Sequence, residues 1–300
     1  MNPADSHATA IEAHRPSLEN LAYRMLGSWA DAQDIAQESL LKWHALAESA
    51  RSSIREPLAW LHTVASRLSL DRLKSAQRRR ESYVGPWLPE PLITTDHTPA
   101  DSASIDDSIT IALLHAMEQL TPTERAAFIL HDVFDYPFQS VASILEKEPA
   151  TCRQLAARAR KALRSQRPKS PVDPDSHQRL LAAFLQAASE GDARSLESLL
   201  ATDAILYSDG GAKAKAVRKP LRSRELIVRL HLGLARKAQK SGQQKTARFT
   251  QLNNQPAALV YTDGHLDTVF SIEIQDAKIQ TLFMQRNPDK LRLLQARLPN

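Results

Sequence analysis

Cysteine occurs once in 300 residues, glycine only 8 times, and aromatic side chains make up 5%. A single Cys152 closes neither an intramolecular disulfide nor a cysteine-based zinc site, which excludes a stapled secreted scaffold. The 10 histidines contain no HExxH or HxxxH spacing, so neither a metal site nor a cofactor is expected. No apolar run approaches about 18 residues, the length of a membrane span. The N-terminal stretch MNPADSHATAIEAHRP lacks a basic start followed by an apolar core. A cytoplasmic chain without membrane contact is therefore expected.

Charge is missing by region rather than overall. Between Glu81 and Glu124 there is no Lys or Arg, while Glu90, Asp96, Asp101, Asp106, Asp107 and Glu118 fall inside that window. Between Ala150 and Lys169 there is no acid, but Arg153, Arg158, Arg160, Lys161, Arg164, Arg167 and Lys169 are present. The formal net charge of +5 is thus the remainder of opposing blocks. A basic block on one helix is the electrostatic footprint of a nucleic-acid partner.

The first 81 residues read as all-helical. Leu18, Leu21, Met25 and Leu26 recur at helical spacing, Gly27-Ser28 interrupts, and Asp31 opens a second helix with Ile35, Leu40 and Trp43 as its apolar stripe. Pro57 starts a long helix that carries Trp60 and ends in Arg72, Lys74, Arg78, Arg79 and Arg80. An aromatic near a cationic helix suits exposed bases, although Trp60 also fits a packed core. Residues 82–108 form a Pro/Ser/Thr-rich acidic linker. In residues 109–168 Thr121-Pro122-Thr123-Glu124 is a helix start, Pro137–Leu145 a short helix, Glu146–Pro149 a turn and Ala150–Leu163 a basic helix. That is the helix-turn-helix plan, in which the second helix enters the major groove. Arg153, Gln154 and Arg158 are placed for bases, and Arg160, Lys161 and Arg164 for phosphates.

After a linker at 169–176, residues 177–297 change character. Helices over His177–Gly191, Asp192–Leu200 and Ser223–Lys240 are expected. Strands are expected over Ala204–Tyr207, Thr246–Leu252, Ala257–Thr262, Leu266–Ile274 and Lys278–Gln285. This order predicts an α+β domain with an antiparallel sheet curved over helices.

Three blocks carry a family resemblance: AYRMLGSWADAQDIAQESLLKW, PLAWLHTVASRLSLDRLKSAQRRR, and LTPTERAAFILHDVFDYPFQSVASILEKEPATCRQLAARARKAL. Over residues 12–168 the chain resembles the extracytoplasmic-function sigma factors of the bacterial sigma-70 family. The resemblance implies that residues 10–81 are region 2, which holds core RNA polymerase and opens the minus-ten element. Residues 109–168 would be region 4, which reads the minus-thirty-five element. Asp31, Asp34, Gln37 and Glu38 then match the polymerase surface. Trp60, Arg67, Asp71, Arg72, Lys74 and Arg78 match the minus-ten stretch, although many members carry Asn where Arg67 stands. Arg153, Gln154, Arg158, Arg160 and Lys161 match the minus-thirty-five reader. The partners implied are bacterial RNA polymerase core and promoter DNA.

The segment Tyr83-Val-Gly-Pro-Trp87-Leu88-Pro89-Glu90-Pro91 resembles the mark of a subgroup with a C-terminal SnoaL-like extension of the NTF2-like cone fold. The fold expected is therefore multidomain: two all-α sigma domains followed by an α+β cone. Two further marks resemble Asp209-Gly210-Gly211-Ala212-Lys213 and Asn287-Pro288-Asp289-Lys290-Leu291, with Ala212 standing where the pattern has Gly. That resemblance implies regulation in cis. Trp87 between prolines is a rigid anchor. It is expected to dock near both marks, with Lys213 and Lys290 pairing to Glu90 or other linker acids. Alanine at 212 is expected to alter the turn if positive φ is needed there.

Two alternatives stay open. One is an enzymatic or ligand-binding cone module fused to a DNA-binding unit, for which Asp263, His265 and Asp267 give an acid–His–acid alternation. Asp263-Gly264 reads better as a turn, so the chain is not expected to be an enzyme. The other is an unidentified small-molecule ligand of the C-terminal domain.

Overall fold

The computed structural model describes residues 11–93, 110–164 and 173–298, with the side chains of residues 78, 79 and 81 excepted. The acids at 96, 101, 106 and 107, the side chain of Arg78, and Arg167, Pro168 and Lys169 lie outside the described residues. The described chain divides into two compact units. One takes the residues up to 81 together with those from 113 onward to 164; the other takes 82–93, 110–112 and 173–298.

In the first unit, α1 (Arg15–Leu26) ends at Gly27, whose φ of 67° is the left-handed turn a glycine makes without steric cost. The helix α2 (Trp29–His44) begins two residues earlier than the expected Asp31, because Ser28 is the cap and its Oγ accepts from the Asp31 amide at 3.3 Å. A short α3 (Glu48–Ser53) leads to α4 (Pro57–Glu81). Leu18, Leu21, Met25, Ile35, Leu40 and Leu61 are essentially inaccessible and form the seam of these helices.

The second half of this unit contains α5 (Ile111–Ala116), followed by a 3-10 turn, and α6 (Pro122–Phe128). The expected helix start at Thr121 is a complete capping box, with Glu124 and Thr121 each bonding the other's backbone amide. A π-turn at Ile129–Val133, which periodicity did not anticipate, leads to α7 (Phe138–Leu145). Glu146 at φ 53° makes the turn into α8 (Pro149–Arg164). Cys152, Leu155, Ala156, Ala159 and Leu163 face inward, so the basic residues of α8 are left on the outside.

The second unit is an α+β domain with a six-stranded sheet. It has α9 (Pro174–Glu190), α10 (Ala193–Leu199), β1 (Leu200–Asp209), β2 (Leu221–Arg222), α11 (Arg224–Ser241), β3 (Lys245–Leu252), β4 (Gln255–Thr262), β5 (His265–Gln275), β6 (Lys278–Gln285) and α12 (Pro288–Gln295). The sheet order is β2-β1-β6-β5-β4-β3. It is mixed rather than antiparallel, since β1 runs parallel to β6, with Leu206 opposite Leu282. A crossover longer than a hairpin separates those two strands in sequence, which is what parallel pairing requires.

Alternation along β5 and β6 assigns the two faces of the sheet. Phe270, Ile272, Leu282 and Met284 pack with Leu181, Phe184 and Ile227 of α9 and α11. Val269 and Leu259 instead meet Ile93, Leu252, Leu291 and Leu294. Phe283 meets Leu88, Ile111 and Ala112. The second face is therefore covered by α12 and by the segment that follows region 2.

Candidate functional site

The docked segment is the most completely built site. Asp209, at the end of β1, is fully buried, and its carboxylate accepts four hydrogen bonds: Tyr83 Oη at 2.6 Å, the Leu88 amide at 2.9 Å, the Gly211 amide at 3.1 Å and Lys290 Nζ at 2.7 Å. Lys290 also donates to the Leu88 carbonyl, and its ammonium lies 4.1 Å from the Trp87 ring centroid and 5.7 Å from that of Tyr83. A buried ammonium gains most from an aromatic face when water is excluded. Asn287 Nδ2 donates to Tyr83 Oη at 2.8 Å, and Gln285 Nε2 reaches the Pro89 carbonyl at 3.3 Å. Burial and the neighbouring Asp209 carboxylate push the Tyr83 hydroxyl upward, so it stays a donor.

All three marks named from sequence thus meet on one face of the cone. Lys213 pairs with Asp289 at 2.7 Å rather than with Glu90, and Lys290 pairs with Asp209. Gly210 and Gly211 have distinct reasons to be glycine. A Cβ on Gly210 would stand 2.6 Å from the Ala214 carbonyl, while Gly211 has a φ of 56° and would meet Asn287. Ala212 is absent from the positive-φ positions of the described residues, so its Cβ meets no left-handed strain. Pro288 opens α12 at its first turn, and Leu291 sits in the core beneath. Glu90, Pro89 and Pro91 are buried.

Tyr83, Asn253 and Gln285 belong to this site and were not singled out as site residues. Asn253 accepts from the Leu92 amide at 3.0 Å and donates its own amide to the Leu92 carbonyl at 2.9 Å. Beside it, Ile93 bridges Leu252 as a single antiparallel pair. The available signal was Asn253-Asn254, a hairpin turn with both residues at positive φ.

In the first unit, Asp34, Gln37 and Glu38 lie exposed along one side of α2, with Asp31 half-buried. Arg72 of α4 stands 3.5 Å from Asp31 and 3.7 Å from Asp34, Arg15 donates to Gln37 at 2.8 Å, and Glu38 faces Lys42 at 3.4 Å. Exposed pairs of this kind contribute only about 0–1 kcal/mol and yield readily to a partner. Trp60 is half-buried and meets Trp43 edge-to-face at 5.4 Å. Asp71 and Lys74 are exposed and paired at 3.1 Å.

Arg67 does something the sequence did not suggest. Its guanidinium donates to the Ser143 carbonyl at 3.0 Å and lies 3.5 Å from Glu146, at the C-terminal end of α7. The last carbonyls of a helix attract a cation. A second contact between the two halves of this unit is Glu118, which takes Arg80 on one oxygen and Arg125 on the other at 2.6 Å. Arg125 is 1% exposed and also donates to the Arg24 carbonyl at 3.1 Å. The third is His62, between Ser17 Oγ at 2.9 Å and Tyr136 Oη at 2.7 Å. Burial lowers its pKa to about 4, so it is neutral and can donate to one hydroxyl and accept from the other.

On α8, Arg153, Gln154, Arg158 and Lys161 are exposed. Arg153 lies over the Phe138 ring at 5.8 Å, and Arg160 is turned to Asp132 at 2.5 Å. In the cone, Asp263 occupies the β4–β5 turn at positive φ, as expected, while Asp267 is held by Arg286 at 2.8 Å. The two acids therefore serve separate local roles.

Comparison with known proteins agrees with this geometry. Residues 10–79 match the sigma-70 region 2 family and residues 110–163 match sigma-70 region 4. The ECF RNA polymerase sigma factor SigJ of Mycobacterium tuberculosis is 38% identical over 291 residues, 93% of this chain and 91% of the relative. The probable ECF RNA polymerase sigma factor SigI of the same species is 32% identical over 302 residues, 99% of each chain. The crystal structure of M. tuberculosis SigJ superposes with a TM-score of 0.73 at 34% identity, covering 95% of this chain and 98% of that one. The similarity therefore runs through the C-terminal cone.

A helix-turn-helix with an exposed basic second helix, joined to a helical region 2, defines a sigma-70-type initiation factor. The chain belongs to the ECF RNA polymerase sigma factors. It directs promoter-specific transcription initiation, and sigma factors do so by binding core RNA polymerase and promoter DNA. No helix among the described residues is long and apolar enough to cross a membrane.

Proposed function

We propose that this sigma factor is held in check by its own C-terminal domain, through the segment that follows region 2. In this reading residues 10–81 are region 2, 82–108 the acidic linker, 109–168 region 4, 169–176 a second linker and 177–297 the regulatory domain. Asp31, Asp34, Gln37 and Glu38 meet polymerase. Trp60, Arg67, Asp71, Arg72, Lys74 and Arg78 meet minus-ten DNA, and Arg153, Gln154, Arg158, Arg160 and Lys161 meet minus-thirty-five DNA. The chain acts as a specificity subunit and not as an enzyme.

The observation that carries the regulatory reading is the convergence of Tyr83, Leu88 and Lys290 on Asp209. Pinning 82–93 and 110–112 to the cone removes chain from the connection between regions 2 and 4. Their release returns on the order of 50 Å of extended chain. Occlusion inside the first unit agrees with this, because Arg67, assigned to minus-ten DNA, is spent on the end of α7. We assign the cone domain a small-molecule ligand as a further partner.

The test is promoter opening by the full chain, read as permanganate reactivity of minus-ten thymines with and without core polymerase. Opening that requires core polymerase and rises in the Trp87→Ala chain is expected. Opening without core polymerase, or none with it in either chain, would contradict the reading.

A further inference from the structure

We infer that the cone binds an apolar small molecule carrying a hydroxyl or N–H donor, and that His231 accepts its hydrogen bond. This rests on the reading of the cone as a ligand-taking domain and is independent of the docked segment. A cavity of about 680 Å³ opens between α9, α11 and the sheet, walled by Leu185, Leu234, Ala235, Phe249 and Phe270. Its size falls within the range of about 300–1,000 Å³ usual for small-molecule sites.

His231 lines this cavity at 3% exposure. Its Nδ1 lies 2.8 Å from the Ile227 carbonyl. A carbonyl only accepts, so Nδ1 carries the proton and Nε2 is left as a bare acceptor. That Nε2 is buried and has no partner among the described residues. Phe184 meets the ring edge-to-face at 5.0 Å, fixing its plane. Burial lowers the pKa to about 4, so the imidazole stays neutral at pH 7 and keeps its acceptor.

An unmade buried hydrogen bond costs about 1–3 kcal/mol, which a donor entering the cavity would recover. The walls are mainly apolar, and Gln186, Gln239 and the cationic Lys245 also line the cavity. A molecule with an apolar body and one donor at the His231 end fits this lining.

The experiment titrates the full chain with 2-naphthol and with 2-methoxynaphthalene, which share an aromatic body and differ in the donor. Binding of 2-naphthol at least tenfold tighter is expected, with the difference lost in His231→Phe and both probes lost in Ala235→Trp. A measurement on the unaltered chain guards against a variant that fails to fold. The 15N resonance of His231 Nε2 should move upfield with 2-naphthol and stay in place with the methyl ether. Equal binding of the two probes, or an unmoved resonance at saturation, overturns the role of His231. Binding of neither probe overturns the ligand reading itself.

Discussion

Lys290 donates to Asp209 at 2.7 Å with both side chains buried, 7% and 0% exposed. A buried pair of this kind contributes little net stability over a well-packed apolar pair, but losing one partner strands the other. Asp209 keeps the Tyr83, Leu88 and Gly211 donors when Lys290 is gone, so the cone should survive while the docked segment loosens. In Lys290→Met the segment is expected to lose about 3 kcal/mol of docking free energy. Hydrogen exchange at the Leu88 and Leu92 amides reads this directly, and both should lose protection by on the order of a hundredfold.

Glu118 holds region 2 and region 4 together through Arg80 and Arg125. In Glu118→Gln the two guanidinium groups face each other without the shared anion, at an expected cost of about 3 kcal/mol to the first unit. The urea midpoint should fall, and the radius from small-angle scattering should rise as the two regions separate. An unchanged radius with a lowered midpoint would assign Glu118 to region 4 stability alone.

On α8 the exposed arginines and the lysine should behave differently. Arg153→Ala or Arg158→Ala is expected to cost about 1–3 kcal/mol on the preferred minus-thirty-five sequence and to relax preference at one position. Lys161→Ala should weaken all sequences alike and reduce the salt slope by about 0.9. Competition binding of the polymerase holoenzyme to promoter variants at several salt concentrations separates the two patterns.

Three histidines give the protein an acid limit. His62, His177 and His231 each have a pKa near 4 through burial, below the ordinary 6.5. The unfolded chain takes up their protons below about 6.5 while the folded chain does not, so stability present above that pH is lost progressively toward pH 4. Each costs about 2 kcal/mol by pH 5. Glu273 works in the opposite sense: burial raises it to about 7, and its contribution is present below about 4.5 and lost as pH rises to 7. Urea unfolding at pH 7 and pH 5 should therefore show a smaller loss in His177→Phe than in the parent chain, by about 2 kcal/mol.

The sequence exposed much of this architecture because its signals were local. The capping box at Thr121, the turn at Glu146 and the strand over Lys278–Gln285 are each encoded within a few residues. The parallel pairing of β1 with β6 was not legible, since partners far apart in the chain leave no short-range mark. The convergence of the Trp87 segment with Asp209 and Lys290 was anticipated, yet the pairing of Lys213 was not. Which acid meets which lysine depends on side-chain geometry that spacing does not carry: Asp289 lies on the same unit 2.7 Å from Lys213. The minus-ten role of Arg67 rests on the family resemblance, which carries no information about its contacts within this chain. Its bond to Ser143 depends on a helix end 76 positions away.

The most direct test of cis-inhibition is run-off transcription with core RNA polymerase, comparing the parent chain with Trp87→Ala at equal concentration. Removing the ring takes away the face on which Lys290 rests, and the segment is expected to loosen while the cone core stays folded. Transcript from the same start site is expected to rise at least severalfold in Trp87→Ala. Equal transcript from the two chains, with the Leu88 amide shown to be unprotected in the variant, would contradict the account.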